Sequence, residues 1–272
     1  MKLATAILMT TALAVSAAAQ NQQPTVWAHV AYLKVPGDKM AEFEEAASTM
    51  YRKMMEGRIA AGEVNRYVAT RLIVPAGAEA KYNYLGVMIR SGIPNLDPDP
   101  AELEKAWSRV GLKRATYFDR MTTLGVVMVK RELWRNIERI GTFEAGDFVR
   151  IDTKKVAKPA DYVNLERTVY KPLWAERIKQ GALKGWVVYY VALPGGEDRP
   201  YSYITVQCFK DEQQMLGPPA IPLAESWKVA APGIDPWQIS RDTAAVSHTA
   251  TVELGRVRMA LGTPLASTAG GQ

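Results

Sequence analysis

The sequence has little of what metal and catalytic centres are usually built from. Its 272 residues include one cysteine and two histidines, His29 and His248. A lone Cys208 forms no internal disulfide and excludes a multi-cysteine zinc or iron–sulfur site within one chain. Two histidines leave little room for a histidine-rich centre. There is no Gly-rich phosphate loop, no nucleophile elbow and no zinc motif. The acidic stretch Asn95-Leu96-Asp97-Pro98-Asp99-Pro100 lacks the ligand register of a calcium loop. No apolar run reaches the ~20 residues that a spanning helix needs. Positive charge is not concentrated either. The net charge is +6, but Lys130-Arg131 to Arg139, the densest cluster, is interleaved with Glu132, Glu138 and apolar residues. That reads as a solvated face and not as a phosphate-tracking surface, so no nucleic-acid partner is expected.

What is present is ordinary globular composition, 48% hydrophobic and 23% charged, behind an address. Lys2 is a positive n-region, Leu3 to Val15 is mostly apolar, and Ala17-Ala18-Ala19 fits a small-residue cleavage rule. The expectation is a signal peptide over residues 1–19, cleaved near Ala19, and a mature chain that is periplasmic or secreted. A low thiol content suits an oxidising compartment.

The chain also repeats itself. A shift of 119 residues brings Tyr170 onto Tyr51 and aligns 51–84 with 170–203 without a gap. Nine of the 34 aligned positions are identical, among them Arg58/Arg177, Gly62/Gly181, Pro75/Pro194, Tyr82/Tyr201 and Tyr84/Tyr203. The repeat divides the chain into two units, 25–141 and 145–262, with a flexible tail over 263–272. Each unit reads strand, long helix, strand, strand, helix, strand. In the first, Val26 to Leu33 alternates as a strand, and Met40, Phe43, Ala47, Met50 and Met54 line one helix face. Val64–Val74 and Tyr82–Arg90 form a hairpin, a helix covers about 101–117, and a last strand runs about 124–134. In the second, Pro172 falls inside the long helix and is expected to kink it.

The order β-α-β-β-α-β is ferredoxin-like, an α+β class. With the pattern Lys-Val-Pro-Gly, a long helix ending Arg-Ile-x-x-Gly, a Pro-x-Gly turn and a Tyr-x-Tyr strand, the chain resembles the dimeric α/β-barrel superfamily. It is most similar to the antibiotic-biosynthesis-monooxygenase-like branch, here as a secreted tandem repeat in which the two units form a fused pseudo-dimeric barrel. The resemblance implies a chamber and, for an enzyme, cofactor-independent oxygenation, isomerisation or haem-linked chemistry. A haem would need His29 or His248 as its axial ligand; no motif by itself implies a cofactor.

Strand alternation then sorts side chains by face. Leu85, Val87, Ile89 and Ile204, Val206, Cys208 are expected to meet the helices. Tyr82, Tyr84, Tyr201, Tyr203 and Gln207 are expected in the chamber, with His29, Arg150, Asp152, Lys130, Glu132 and Glu253. Because the first strand of such a unit lies between the third and fourth, His29 is placed beside Tyr84 and Glu132 as a proton-handling set. Tyr82, Arg150, Asp152, Tyr201, Tyr203, Gln207 and Glu253 are the candidate ligand-binding residues. The bland alternative is that these polar groups pair and fix the register of the units. The function expected is an exported small-molecule-binding or structural barrel whose partner is a small apolar or aromatic molecule. An enzyme of the barrel type and an envelope interaction module using Gly217 to Pro222 are the alternatives. The chain itself is a monomer or a homo-oligomer.

Overall fold

The computed structural model describes residues 25–267, apart from 76, 78, 79, 98, 197 and 220. The export signal expected over 1–19 lies outside the described residues. Eight antiparallel strands close into one barrel. The first unit supplies β1 (Val26–Lys34), β2 (Arg66–Val74), β3 (Tyr84–Ser91) and β4 (Val127–Gly141); the second supplies β5 (Phe148–Val156), β6 (Gly185–Leu193), β7 (Tyr203–Phe209) and β8 (Ser247–Leu261). The order around the barrel is β1-β3-β2-β8-β5-β7-β6-β4. Each unit is therefore a ferredoxin-like sheet with its first strand between the third and fourth. The units join at two seams, β2 with β8 and β4 with β6. The long fourth strands make both seams, which leaves no free sheet edge. Each seam ends on a glycine with positive φ, Gly141 and Gly262, where a Cβ would strike the carbonyl of Lys184 or Asn65.

Helices pack on the outside. The first unit carries α1 (Met40–Ala46), α2 (Arg52–Ala60), α3 (Pro100–Ser108) and α4 (Arg114–Thr123). The second carries α5 (Pro159–Leu165), α6 (Lys171–Lys179), α7 (Glu212–Leu216), α8 (Leu223–Ala230) and α9 (Pro236–Val246). The helix expected over about 101–117 is two helices, and in the second unit α9 runs to Val246, directly before β8. Pro172 sits in the first turn of α6, where its missing N–H costs nothing. The interruption before it is a π turn, Glu166–Tyr170, and the first unit has the same turn at Ala47–Tyr51. Lys53 stands there in place of the proline, so the turn belongs to the repeat and not to Pro172.

The face assignment of the hairpins is the reverse of the expectation. Leu85, Ile89, Ile204, Val206 and Cys208 point into the barrel with Ala28, Val30, Val149 and Ile151. Tyr84 and Tyr203 lie under the helices, against Phe43 and Tyr162. An eight-stranded barrel is just wide enough to be filled by side chains, and slim β-branched residues suit its interior. The layer between sheet and helices takes the Tyr84 and Tyr203 rings. Cys208 is buried in the barrel, where burial and the nearby Asp147 carboxylate raise its thiol well above the usual range, so it is a packed, inert thiol. No helix among the described residues is long and apolar enough to cross a membrane.

Candidate functional site

The barrel interior has two unlike ends, joined by Trp134. At the first, the end of β1 meets the start of β4 and the turns that lead into β3 and β7. Glu132 is the hub. Its Oε2 accepts from Tyr32 Oη at 2.7 Å and Trp134 Nε1 at 2.8 Å. Its Oε1 accepts from Tyr201 Oη at 2.6 Å and Lys130 Nζ at 2.9 Å. Lys130 Nζ also donates to Tyr201 Oη at 2.6 Å and stands 4.0 Å over the Tyr32 ring. Beside it, Tyr82 Oη donates to Glu253 Oε1 at 2.5 Å. Tyr82 and Glu132 come from the first unit, Tyr201 and Glu253 from the second, so both hydrogen bonds cross between units.

The two glutamates are both buried, but their carboxyls are shifted in opposite directions. Burial pushes Glu132 up, yet hydrogen bonds from Tyr201, Lys130 and Tyr32 outweigh it and hold its carboxyl below the usual range. Burial raises Glu253; the Tyr82 hydrogen bond and Lys130 offset part of that rise, and the Glu132 charge adds to it. The end therefore holds one firmly ionised carboxylate and one that keeps its proton to higher pH.

The opposite end is hollow. A cavity of about 100 Å³ lies among Val87, Val149, Val187, Val206 and Val257, with the faces of Trp134 and Tyr189 in its wall. Phe143, from the link between the units, and Pro264 and Leu265, from the chain after β8, line its mouth. Arg66 and Arg139 line it too. Arg66, 4% exposed, donates Nη2 to Phe143 O and Nη1 to Gly262 O at 3.5 Å. Arg139 donates Nε to Ala266 O and Nη1 to Asn136 Oδ1, the latter at 2.7 Å. Burial pushes the Tyr189 phenol up to about 12, and the positive fields of Arg139 and Arg66 work against that rise. The part of the expected tail that is described, 263–267, thus packs as a strap over the barrel mouth.

The structure brings together four of the ten sequence-predicted site residues: Glu132, Tyr82, Tyr201 and Glu253. The proposed His29–Glu132–Tyr84 set does not form. Glu132 pairs in register with Val30, so His29 points the other way, under the helices. Burial and the Arg131 and Arg58 charges lower its pKa, which keeps it neutral. Tyr84 shares His29's face but stands opposite Leu33, four residues further along β1. Arg150 and Asp152 also face outward, as a surface pair at 2.8 Å joined by Lys154. Tyr203 is outside with Tyr190 and Tyr162. Gln207, opposite Arg150, is outside as well. Alternation misled here because Tyr82 and Tyr201 precede the regular strands. The chain breaks its alternation at Asn83 and Ser202, so Tyr82 and Tyr84, two residues apart, lie on opposite faces.

The sequence reading also missed Tyr32, Trp134, Tyr189, Arg66, Arg139 and Leu265. The strand parity that holds Val26, Ala28 and Val30 inside would have placed Tyr32 with them. Nothing local marks Arg66 or Leu265, which come to one cavity from β2 and from the chain after β8.

A haem does not fit the residues present. His248 is exposed at the start of β8. The layer beside His29 is filled by buried Tyr67, Trp107 and Tyr117, with Tyr51 packed among them at ring distances of 5.0–6.3 Å. Among the described residues, no cluster of histidine, cysteine and acidic side chains is placed to hold a metal ion.

The architecture is that of the dimeric α/β barrels. A structure from Fusobacterium nucleatum, provisionally named a monooxygenase, superposes with a TM-score of 0.52 at 10% identity, covering 90% of this chain and 98% of the other. A similarly named protein from Lactobacillus acidophilus gives 0.49 at 9% identity, covering 89% and 100%. A haem-binding protein from Thermus thermophilus gives 0.44 at 10%, covering 86% and 91%. At such identities the likeness concerns the fold alone. No protein-family model and no curated protein matches the sequence.

Proposed function

We propose that this chain is an exported binding protein that holds one small apolar molecule in the hollow end of its barrel. The observation that carries the reading is the contrast between that cavity and the rest of the interior. Close-packed interiors seldom keep a void larger than a water molecule, whereas an apolar cavity of roughly 150 Å³ stays dry and accepts benzene. The cavity here, about 100 Å³ and walled mainly by valines, approaches that size, and a shift of the Leu265 strap would enlarge it. The n-region, apolar run and Ala17-Ala18-Ala19 of residues 1–19 support export to the periplasm or outside the cell.

Calorimetric titration of the mature chain with toluene tests the reading. Saturable one-site binding is expected. Val206→Phe, whose ring would occupy the hollow, should abolish it while leaving the circular dichroism spectrum unchanged. Absence of binding to the wild-type chain, or binding that survives Val206→Phe, refutes the cavity as the site.

A further inference from the structure

The cavity is apolar along its length but not at its mouth. Two guanidinium groups, Arg66 and Arg139, line it alongside Tyr189. They come from opposite seams: Arg66 opens β2 at the β2/β8 seam, and Arg139 is near the end of β4 at the β4/β6 seam. Both guanidinium charges bear on the Tyr189 phenol. Among the described residues, the carboxylate in range of Arg66 is Glu144 at 3.7 Å, and that side chain is half exposed. Within the mouth, both arginines donate to backbone carbonyls, of Phe143, Gly262 and Ala266. These carbonyls belong to the two segments that close the cavity. An ionised acceptor makes a stronger hydrogen bond with a guanidinium than a neutral carbonyl does. A ligand carrying such a group would compete with the strap for the arginines, and its apolar body would take the space that Leu265 borders.

Resting on the binding function proposed above, we infer that the ligand is a small amphipathic monoanion: a ring-sized apolar body bearing one carboxylate. The carboxylate sits between Arg66 and Arg139, and the body lies against Val187 and Val206. The strap over residues 263–267 yields when the anion takes over its hydrogen bonds.

Three probes of one size and different charge test this: phenylacetate, 2-phenylethanol and phenethylammonium, titrated calorimetrically at pH 7. Phenylacetate is expected to bind at least tenfold more tightly than the alcohol, and the ammonium not at all. Arg139→Gln, at a half-buried position, should remove most of the preference for phenylacetate over the alcohol. Arg66→Met is the second variant, read in the same way if it folds. Equal affinity for acid and alcohol in the wild-type chain, or an acid preference untouched by Arg139→Gln, overturns the anion inference while the cavity stands. Failure of all three probes overturns the cavity reading as well.

Discussion

The two ends of the barrel interior solve the same problem in opposite ways. At both, residues from two homologous units meet across seams that neither unit specifies alone. One end fills the space with polar groups that satisfy one another: Glu132 takes four donors from both units, and Tyr82 binds Glu253. The other end leaves a void among valines and closes it with a strap. A cross-linked end fixes register. A hollow end gives up dispersion contacts, and a guest can restore them. The contrast separates a structural role from the proposed binding role within one barrel, and it favours the bland reading for Glu132, which the sequence marked as a candidate proton carrier, and for Glu253, which it marked as a candidate ligand contact.

The largest expected effect comes from breaking the polar end. Glu132→Ala leaves Lys130 and three hydrogen-bond donors without their acceptor in a buried site. It should cost about 3–5 kcal/mol in denaturant unfolding, with toluene affinity kept in the fraction that remains folded. A loss below about 1 kcal/mol would show that the cluster does not hold the units together.

The next effect sharpens what pairing does to a buried carboxylate. Glu132 is held below its ordinary value, so its contribution is present above the unfolded value of 4.5 and drains away as pH falls through the lower folded value. Glu166, buried in the π turn of the second unit, is the opposite case. Burial pushes it up to about 7, and the Tyr162 and Lys154 contributions only partly oppose that. Its contribution is complete below 4.5 and is lost as pH rises to about 7, a change of about 3 kcal/mol. Unfolding free energies from pH 4 to 8 should therefore show the wild type losing about that much relative to Glu166→Gln over the window. Parallel curves for the two proteins would contradict the assignment.

The smallest effect lies at the hollow end. Leu265 is only partly buried, so Leu265→Ala should cost less than about 1 kcal/mol in stability. It should nevertheless speed toluene association several-fold in stopped-flow measurements, because the mouth loses its cover. A stability loss comparable to that of Glu132→Ala would make the strap part of the core and not a cover.

Much of the fold was legible in the sequence. The 119-residue shift, visible in Tyr51/Tyr170, Pro75/Pro194 and Tyr84/Tyr203, gave two copies of one unit, and the copies share even the π turn. The β-α-β-β-α-β order gave the strand arrangement within each sheet. The candidate site was legible only in part. Glu132, Glu253, Tyr82 and Tyr201 were placed in the interior, but His29, Tyr84, Tyr203 and Gln207 were placed on the wrong face. Each of those errors is a one-residue parity choice, which inverts a whole strand. The rule that the more aliphatic face meets the helices chose wrongly because the slim aliphatic side chains Leu85, Ile89, Ile204 and Val206 fill the closed barrel interior.

By itself, then, the sequence determined the unit, its duplication and its local elements, because hydrophobic periodicity, turns and caps act over a few residues. Only the tertiary structure decided which faces turn inward, that Arg66, Arg139 and Leu265 converge on one mouth, and that one end of the barrel is filled and the other hollow. Those outcomes depend on closure across two seams, where residues up to two hundred positions apart compete for the same space.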